Sequence, residues 1–274
     1  MVAIVRDRVG FLGLVLVGLA FFAAIVGPLI APHDPTEIFG DRRLAPPGGT
    51  FLLGGDELGR DILSRALHGA RVSLFVGVTV VMFAGTIGVA LGVLSGYYRG
   101  ILDAAVMRFM DTLFAFPTLL LALVVVAVLG TAMVNLIAAL TIVYIPAFAR
   151  IARGSTLSVT SEPYVEAARS VGVSDARIIR RYILPNITAP VTVQFTVSLA
   201  YAILVEASLS YLGLGVQPPD ASWGLMLATG KPFIELSPWL SIVPGLSIMV
   251  TVLGFNLVGD ALRDAMDPRL RSRE

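Results

Sequence analysis

The chain has 274 residues, 56% of them hydrophobic and 14% charged, with a formal net charge of +1 and a mean hydropathy of +0.85. Those values exclude a water-soluble domain and place the chain in a bilayer. The absence of cysteine excludes disulfides, thiol nucleophiles and thiolate metal sites, and two histidines, His33 and His68, are too few for a histidine metal cluster.

Residues 9–32 carry no charge and are long enough to span a bilayer. Arg6 and Arg8 precede this run as in a signal peptide, but its length, and Pro28 and Pro32 in place of a small-residue cleavage site, mark it as an uncleaved first span. In the following loop Leu63, Ala66, Leu67 and Ala70 recur at i, i+3, i+4 and i+7. They predict a short amphipathic helix on the outer surface, either covering the bundle or receiving a partner, with Asp61 favouring its N-terminus. Residues 72–98 form the second run, where Gly88, Gly92 and Gly96 leave one helix face without side chains so that a neighbour can approach closely. Residues 112–149 are charge-free; as helix they would measure about 57 Å, roughly twice the hydrocarbon thickness, which requires two crossings. Gly130-Thr131 is the expected hairpin.

Residues 162–186 are a polar insert between two apolar runs. Tyr164, Ala167, Ala168 and Val171 give a short helix one apolar face, with Glu166 and Arg169 elsewhere. Gly172 stops that helix, Ser174 caps a second one with Asp175 in its first turn and Arg180 and Arg181 near its end, and Pro185 closes the unit. This pattern suits docking to another protein; an amphipathic hairpin lying on lipid headgroups is the alternative. In the next run, residues 182–205, Gln194, Ser198 and Tyr201 share one helix face, while Thr188, Thr192 and Glu206 share another. One stripe should face a partner or a pore, which makes Gln194, Ser198, Tyr201 and Glu206 candidates for a translocation path. An ionisable group there is either functional or an interfacial carboxylate paired with a neighbouring subunit. Pro218 and Pro219 predict an interfacial or re-entrant elbow, and Trp223 and Trp239 suit the headgroup level. Residues 236–259 complete a set of six transmembrane helices, so the expected fold class is an all-α polytopic membrane protein.

With the N-terminus inside, the inner segments hold 14 of the 20 basic residues and the outer loops hold most of the loop carboxylates, which puts both termini and residues 162–186 in the cytoplasm. The chain cannot hydrolyse ATP with a phosphate-binding loop of its own. Its one lysine, Lys231, is followed by proline where a hydroxyl would hold magnesium. No nucleophile or metal set supports an enzyme, and nothing supports nucleic-acid binding. A secondary carrier would need mid-membrane acidic groups and paired inverted halves that this chain does not display.

Glu166, Ala167, Ala168, Gly172, Leu184 and Pro185 stand at the spacing of the EAA loop, so this segment resembles the coupling loop of membrane subunits of ABC-type importers. Tyr182 occupies an aliphatic position of that pattern, with Ile183 beside it. Residues 53–77, 206–224 and 259–271 are similar to the second membrane subunit of dipeptide and oligopeptide importers in the peptide and nickel branch, Gly55 standing where that branch has threonine. The resemblance implies a MetI-like ABC importer permease fold. Residues 1–71 would form the first transmembrane helix and an extracytoplasmic loop, and 72–274 a five-helix permease domain with its coupling loop at 151–185. It further implies a bacterial inner-membrane location and a second homologous permease. Two cytoplasmic ABC ATPase subunits would hold the ATP and magnesium, leaving this chain no cofactor of its own. An extracytoplasmic solute-binding protein would deliver dipeptides, longer peptides, glutathione, nickel chelates or haem. Tyr164, with the matched loop residues, would face the ATPase.

Overall fold

A computed structural model describes residues 7–266, which are helical or irregular apart from two isolated β-bridges. Helix α1 is Arg8–Ile25, α2 Ile62–Tyr98, α3 Gly100–Phe114, α4 Thr118–Leu129 and α5 Met133–Thr160. After these come α6, Pro163–Ser170, the long α7, Asp175–Tyr211, and then α8, Trp223–Gly230, and α9, Trp239–Met266. Five of them, α1, α2, α5, α7 and α9, are long and apolar enough to cross a membrane; a sixth crossing exists if α3 and α4 are counted together.

That last pair refines the expectation for residues 112–149. The chain turns at Gly130, with φ +93°, as expected. The first arm, however, bends by 91° between α3 and α4. Pro117 stands at this break: it has no N–H to continue the helix, and its own ψ of 131° is not helical. The 12 residues of α4 extend about 18 Å, so α4 alone falls short of the hydrocarbon thickness.

Small residues set the packing of the bundle. A Cβ on Gly88 would lie 2.6 Å from Phe148 Cβ, and one on Gly96 would lie 2.9 Å from the Arg153 carbonyl, so α2 meets α5 backbone to backbone along the expected glycine face. Gly13 of α1 and Gly254 of α9 repeat the device, with built Cβ atoms 2.8 Å from Leu257 and 2.9 Å from Leu16. The largest buried cluster lies between α2, α4, α5 and α7 and includes Val80, Val126, Leu136 and Phe148.

The loop between α1 and α2 is a folded cap. No separate surface helix exists over residues 63–70; they form the start of α2, with Ala66 and Ala70 buried and Asp61 accepting a bond from the Ser64 amide at 3.1 Å. Asp56 accepts from Arg60 Nε at 2.6 Å and from the Arg60 amide at 2.8 Å, and Arg65 reaches the Pro35 carbonyl at 2.9 Å. Glu57 takes the other end of the Arg60 guanidinium at 2.8 Å. Asp56, Arg60, Asp61 and Arg65 are all buried. At the rim, the Thr36 hydroxyl and amide donate to Asp34 and hold its carboxyl below the usual carboxylate range.

The elbow after α7 folds back onto the bundle. Helix α8 is inserted beside α2 and α7, and Trp223 is 2% exposed, donating its indole N–H to the Ala66 carbonyl at 3.1 Å. The expectation of an interfacial Trp223 is therefore corrected: hydrogen bonding to backbone lets the indole sit in the core. Gly224 allows this close approach, since a Cβ there would lie 2.6 Å from Ala207 Cα.

Candidate coupling loop and translocation cleft

The polar insert is a helix and a tight turn leading directly into a membrane span. Helix α6 begins with Pro163 in its first turn, where a missing N–H costs nothing, and ends in a Schellman turn. The Val173 amide bonds the Ala168 carbonyl at 3.0 Å and the Gly172 amide bonds the Arg169 carbonyl at 2.9 Å. Gly172 has φ +79°, and a Cβ there would meet nothing within 4 Å. Glycine is therefore required by the backbone angle and not by space.

The second half departs from the sequence reading. Ser174 does stand at the N-cap, but its side chain makes no capping bond. No separate second helix is closed by Pro185; Asp175–Ile178 continues through a π-turn at Ile179–Ile183 into Leu184–Tyr211. The Leu184 amide bonds the Ile179 carbonyl, five residues back, so the widened turn lies immediately before the proline that lacks an N–H. Pro185 is thus in the first turn of Leu184–Tyr211, and the loop is rigidly joined to α7.

Two faces of α6 have different fates. Val165 and Ala168 are buried with Ile178 and Ile183 against Val93 of α2 and Ala152 of α5. The Tyr97 hydroxyl donates to Asp175 at 2.6 Å, and the Arg169 guanidinium lies 4.8 Å from the centre of the Tyr97 ring. Of the expected apolar face only Ala168 is buried; Tyr164 and Val171 are 43% and 79% exposed, and Glu166 and Ala167 are exposed with them. Glu166 forms no ion pair among the described residues. Leu184 and Pro185 are also at the surface, and the Tyr164 and Tyr182 rings lie 6.2 Å apart. Sequence periodicity alone missed Val165 because the helix is only eight residues long, too short for a stripe to fix which side faces inward.

On the same side of the bundle, α3 is clamped across α5. Arg153 makes two bonds to Asp103, at 2.5 and 2.6 Å, Ser95 also donates to Asp103, and Arg150 bonds Asp111 at 2.6 Å. Between α5, α7 and α9 lies a cleft of about 730 Å³, lined by Arg150, Ser155, Gln194 and Arg263 among others.

The two polar stripes of α7 do not stay together. Gln194 lines the cleft and donates to Ser198 at 2.9 Å; Ser198 is buried, whereas Tyr201 is 56% exposed outside the cleft. Thr188 and Thr192 donate to their own helix, to the carbonyls of Pro185 and Thr188 at 2.8 Å each. Glu206 is fully buried and accepts from Ser210 at 2.7 Å. It is enclosed by this chain's own residues in this structure and does not line the cleft. The cleft arginines were missed because a positively charged inner loop reads first as a topology signal.

The family of binding-protein-dependent transport system inner membrane components matches residues 88–272. The chain belongs to that family. Residues 3–47 also match the N-terminal transmembrane domain of oligopeptide transport permease C. It is therefore a multi-span inner-membrane component of an ABC transporter, a transport subunit and not an enzyme. A di/tripeptide transport system permease protein of Pseudomonas aeruginosa is 45% identical over 95% of this chain and 88% of its own length. A glutathione transport system permease protein of Pectobacterium atrosepticum is 45% identical over 96% of this chain and 86% of its own. A dipeptide transport system permease protein of Alkalihalophilus pseudofirmus is 40% identical over 97% and 88%. Among solved structures, an inward-facing methionine ABC transporter has a TM-score of 0.61 at 18% identity, covering 74% of this chain and 96% of that one, which is a likeness of fold. Part of the C-terminal resemblance at 259–271 lies outside the described residues.

Proposed function

We propose that this chain forms half of the pathway of an ATP-driven importer of di- or oligopeptides, paired with a second homologous permease. Two cytoplasmic ATPase subunits, which hold the ATP and magnesium, engage its loop over residues 162–186, and an extracytoplasmic solute-binding protein delivers the substrate. Both termini lie in the cytoplasm. The observation that carries this reading is the division of α6: Val165 and Ala168 fasten it to the core while Tyr164, Ala167 and Val171 remain exposed with an unpaired Glu166. A self-contained hairpin would have no need of an uncovered apolar stripe beside a free carboxylate, whereas a coupling element does.

The joint makes α6 a lever. Because the loop enters α7 without a break and its buried face touches α2 and α5, a push on α6 is transmitted to three spans together. ATP-driven movement of the partner subunits would then tilt those spans and open or close the cleft beside Gln194. Peptides fit the names of the relatives, glutathione being itself a small peptide. The test is uptake of radiolabelled dipeptides, longer peptides and glutathione by cells that have only this importer, with its partners co-expressed. ATP-dependent uptake of one of these peptide classes is expected; uptake of none of them, by an assembled complex, would contradict the assignment.

A further inference from the structure

We infer that the loop side of α7 carries a binding site for an anionic phospholipid, with its phosphate between Arg177, Arg180 and Arg181 and an acyl chain along the neighbouring groove. Two cavities along the same stretch of α7 support it. A groove of about 510 Å³ between α2 and α7 is lined by Gly85, Val89, Val93, Leu184, Val191 and Phe195 among other residues, nearly all apolar. A recess of about 590 Å³ is lined by the three arginines with Ser174, Ala176 and Pro185. The two interleave along one helix, Ile179 and Leu184 belonging to the groove and Arg180, Arg181 and Pro185 to the recess.

The chemistry of the pair selects the occupant. Arg177, Arg180 and Arg181 are exposed, and among the described residues none is ion-paired to a carboxylate. Guanidinium groups match phosphate oxygens in fork geometry, and three of them without a counter-charge favour a headgroup with net negative charge over a zwitterionic one. The charge-free run of α7 begins directly after Arg181, so the guanidiniums stand at the boundary between apolar and polar surface. Gly85 lets the Phe195 ring pack directly against α2 as part of the groove wall; a Cβ there would lie 2.2 Å from that ring. A soluble anion would use the recess and leave the groove empty, and an acidic protein surface would have no use for an apolar groove. The site is distinct from the Tyr164, Ala167 and Val171 stripe and does not rest on the coupling reading.

The experiment uses the complete chain with its partner subunits in nanodiscs of phosphatidylcholine containing phosphatidylglycerol, and counts retained lipids by native mass spectrometry. Arg180→Gln with Arg181→Gln should lower phosphatidylglycerol retention by about tenfold and leave phosphatidylcholine retention unchanged. Ala90→Phe, which fills the groove from an exposed position, should lower it with all three arginines present. Millimolar inorganic phosphate should not displace the lipid. Unchanged phosphatidylglycerol retention in both variants overturns the site. So does complete displacement by inorganic phosphate, which would mark an anion site without an acyl groove. Loss of the ATPase from the arginine variant, with lipid retained, would assign the arginines to protein docking.

Discussion

The cap between α1 and α2 and the loop over residues 162–186 are both rich in charge, yet they handle it in opposite ways. In the cap Asp56, Arg60, Asp61 and Arg65 are buried and bonded to one another or to backbone. In the loop Glu166, Arg177, Arg180 and Arg181 are exposed and without ion-pair partners among the described residues. Charge that is internally satisfied builds a fold, whereas charge left unpaired at a surface is available to something outside the chain. Variants of the two should therefore fail differently: the cap by loss of protein, the loop by loss of transport from a protein that is still present.

The largest effect is expected in the cap. Arg60→Ala removes the nearest cation from the buried Asp56 carboxylate, leaving Arg65 at 3.4 Å, and takes away the partner of Glu57, and should cost about 3 kcal/mol. Membrane levels and the thermal midpoint of the purified protein should both fall sharply; a normal midpoint would mean the cap is dispensable for folding. Gly172→Val comes next. A β-branched residue at φ +79° carries strain of about 1–3 kcal/mol, so the turn should reopen and the ATPase should no longer co-purify, at near-normal membrane levels of this chain. Because nothing stands within 4 Å of a Cβ at Gly172, Gly172→Asn should retain much of the transport that valine loses. Equal behaviour of Asn and Val would show that the backbone angle is not the constraint. Smaller still is Tyr97→Phe, which removes a part-buried bond to Asp175 worth about 1 kcal/mol once solvent screening is counted. Uptake should drop severalfold while the cap keeps its protease resistance.

Topology sharpens the same comparison. Ser222 is buried and caps α8, so it is a poor reporter; Asp220 and Ser174 are exposed. In this cysteine-free chain, Asp220→Cys should label from outside intact cells with an impermeant maleimide, and Ser174→Cys only after the membrane is opened. Labelling of Ser174→Cys in sealed cells would reverse the assignment of sides.

The long spans were legible because length and absence of charge are properties of sequence alone, and the glycine face of α2 because a four-residue repeat survives any detail of packing. Gly172 was legible because a helix stop in a polar segment favours a positive φ. Trp223 was misjudged because its burial depends on α8 folding back beside α2, a contact between residues about 150 apart in sequence that periodicity does not encode. The bend at Pro117 and the continuity of α7 through Pro185 pair two prolines with opposite outcomes. One breaks a helix in an apolar run, and the other follows a π-turn that carries the helix into it.

The central claim is that the exposed face of α6, and not its buried face, meets the ATPase. Val171→Cys, at a position 79% exposed, tests it in inside-out membrane vesicles by maleimide labelling with and without the co-expressed ATPase subunits. The account predicts rapid labelling without them and strong protection when they are bound, while a cysteine at exposed Asp220 on the opposite side is unaffected by their presence. Equal labelling of Val171→Cys in both preparations, with the ATPase demonstrably attached, would contradict it.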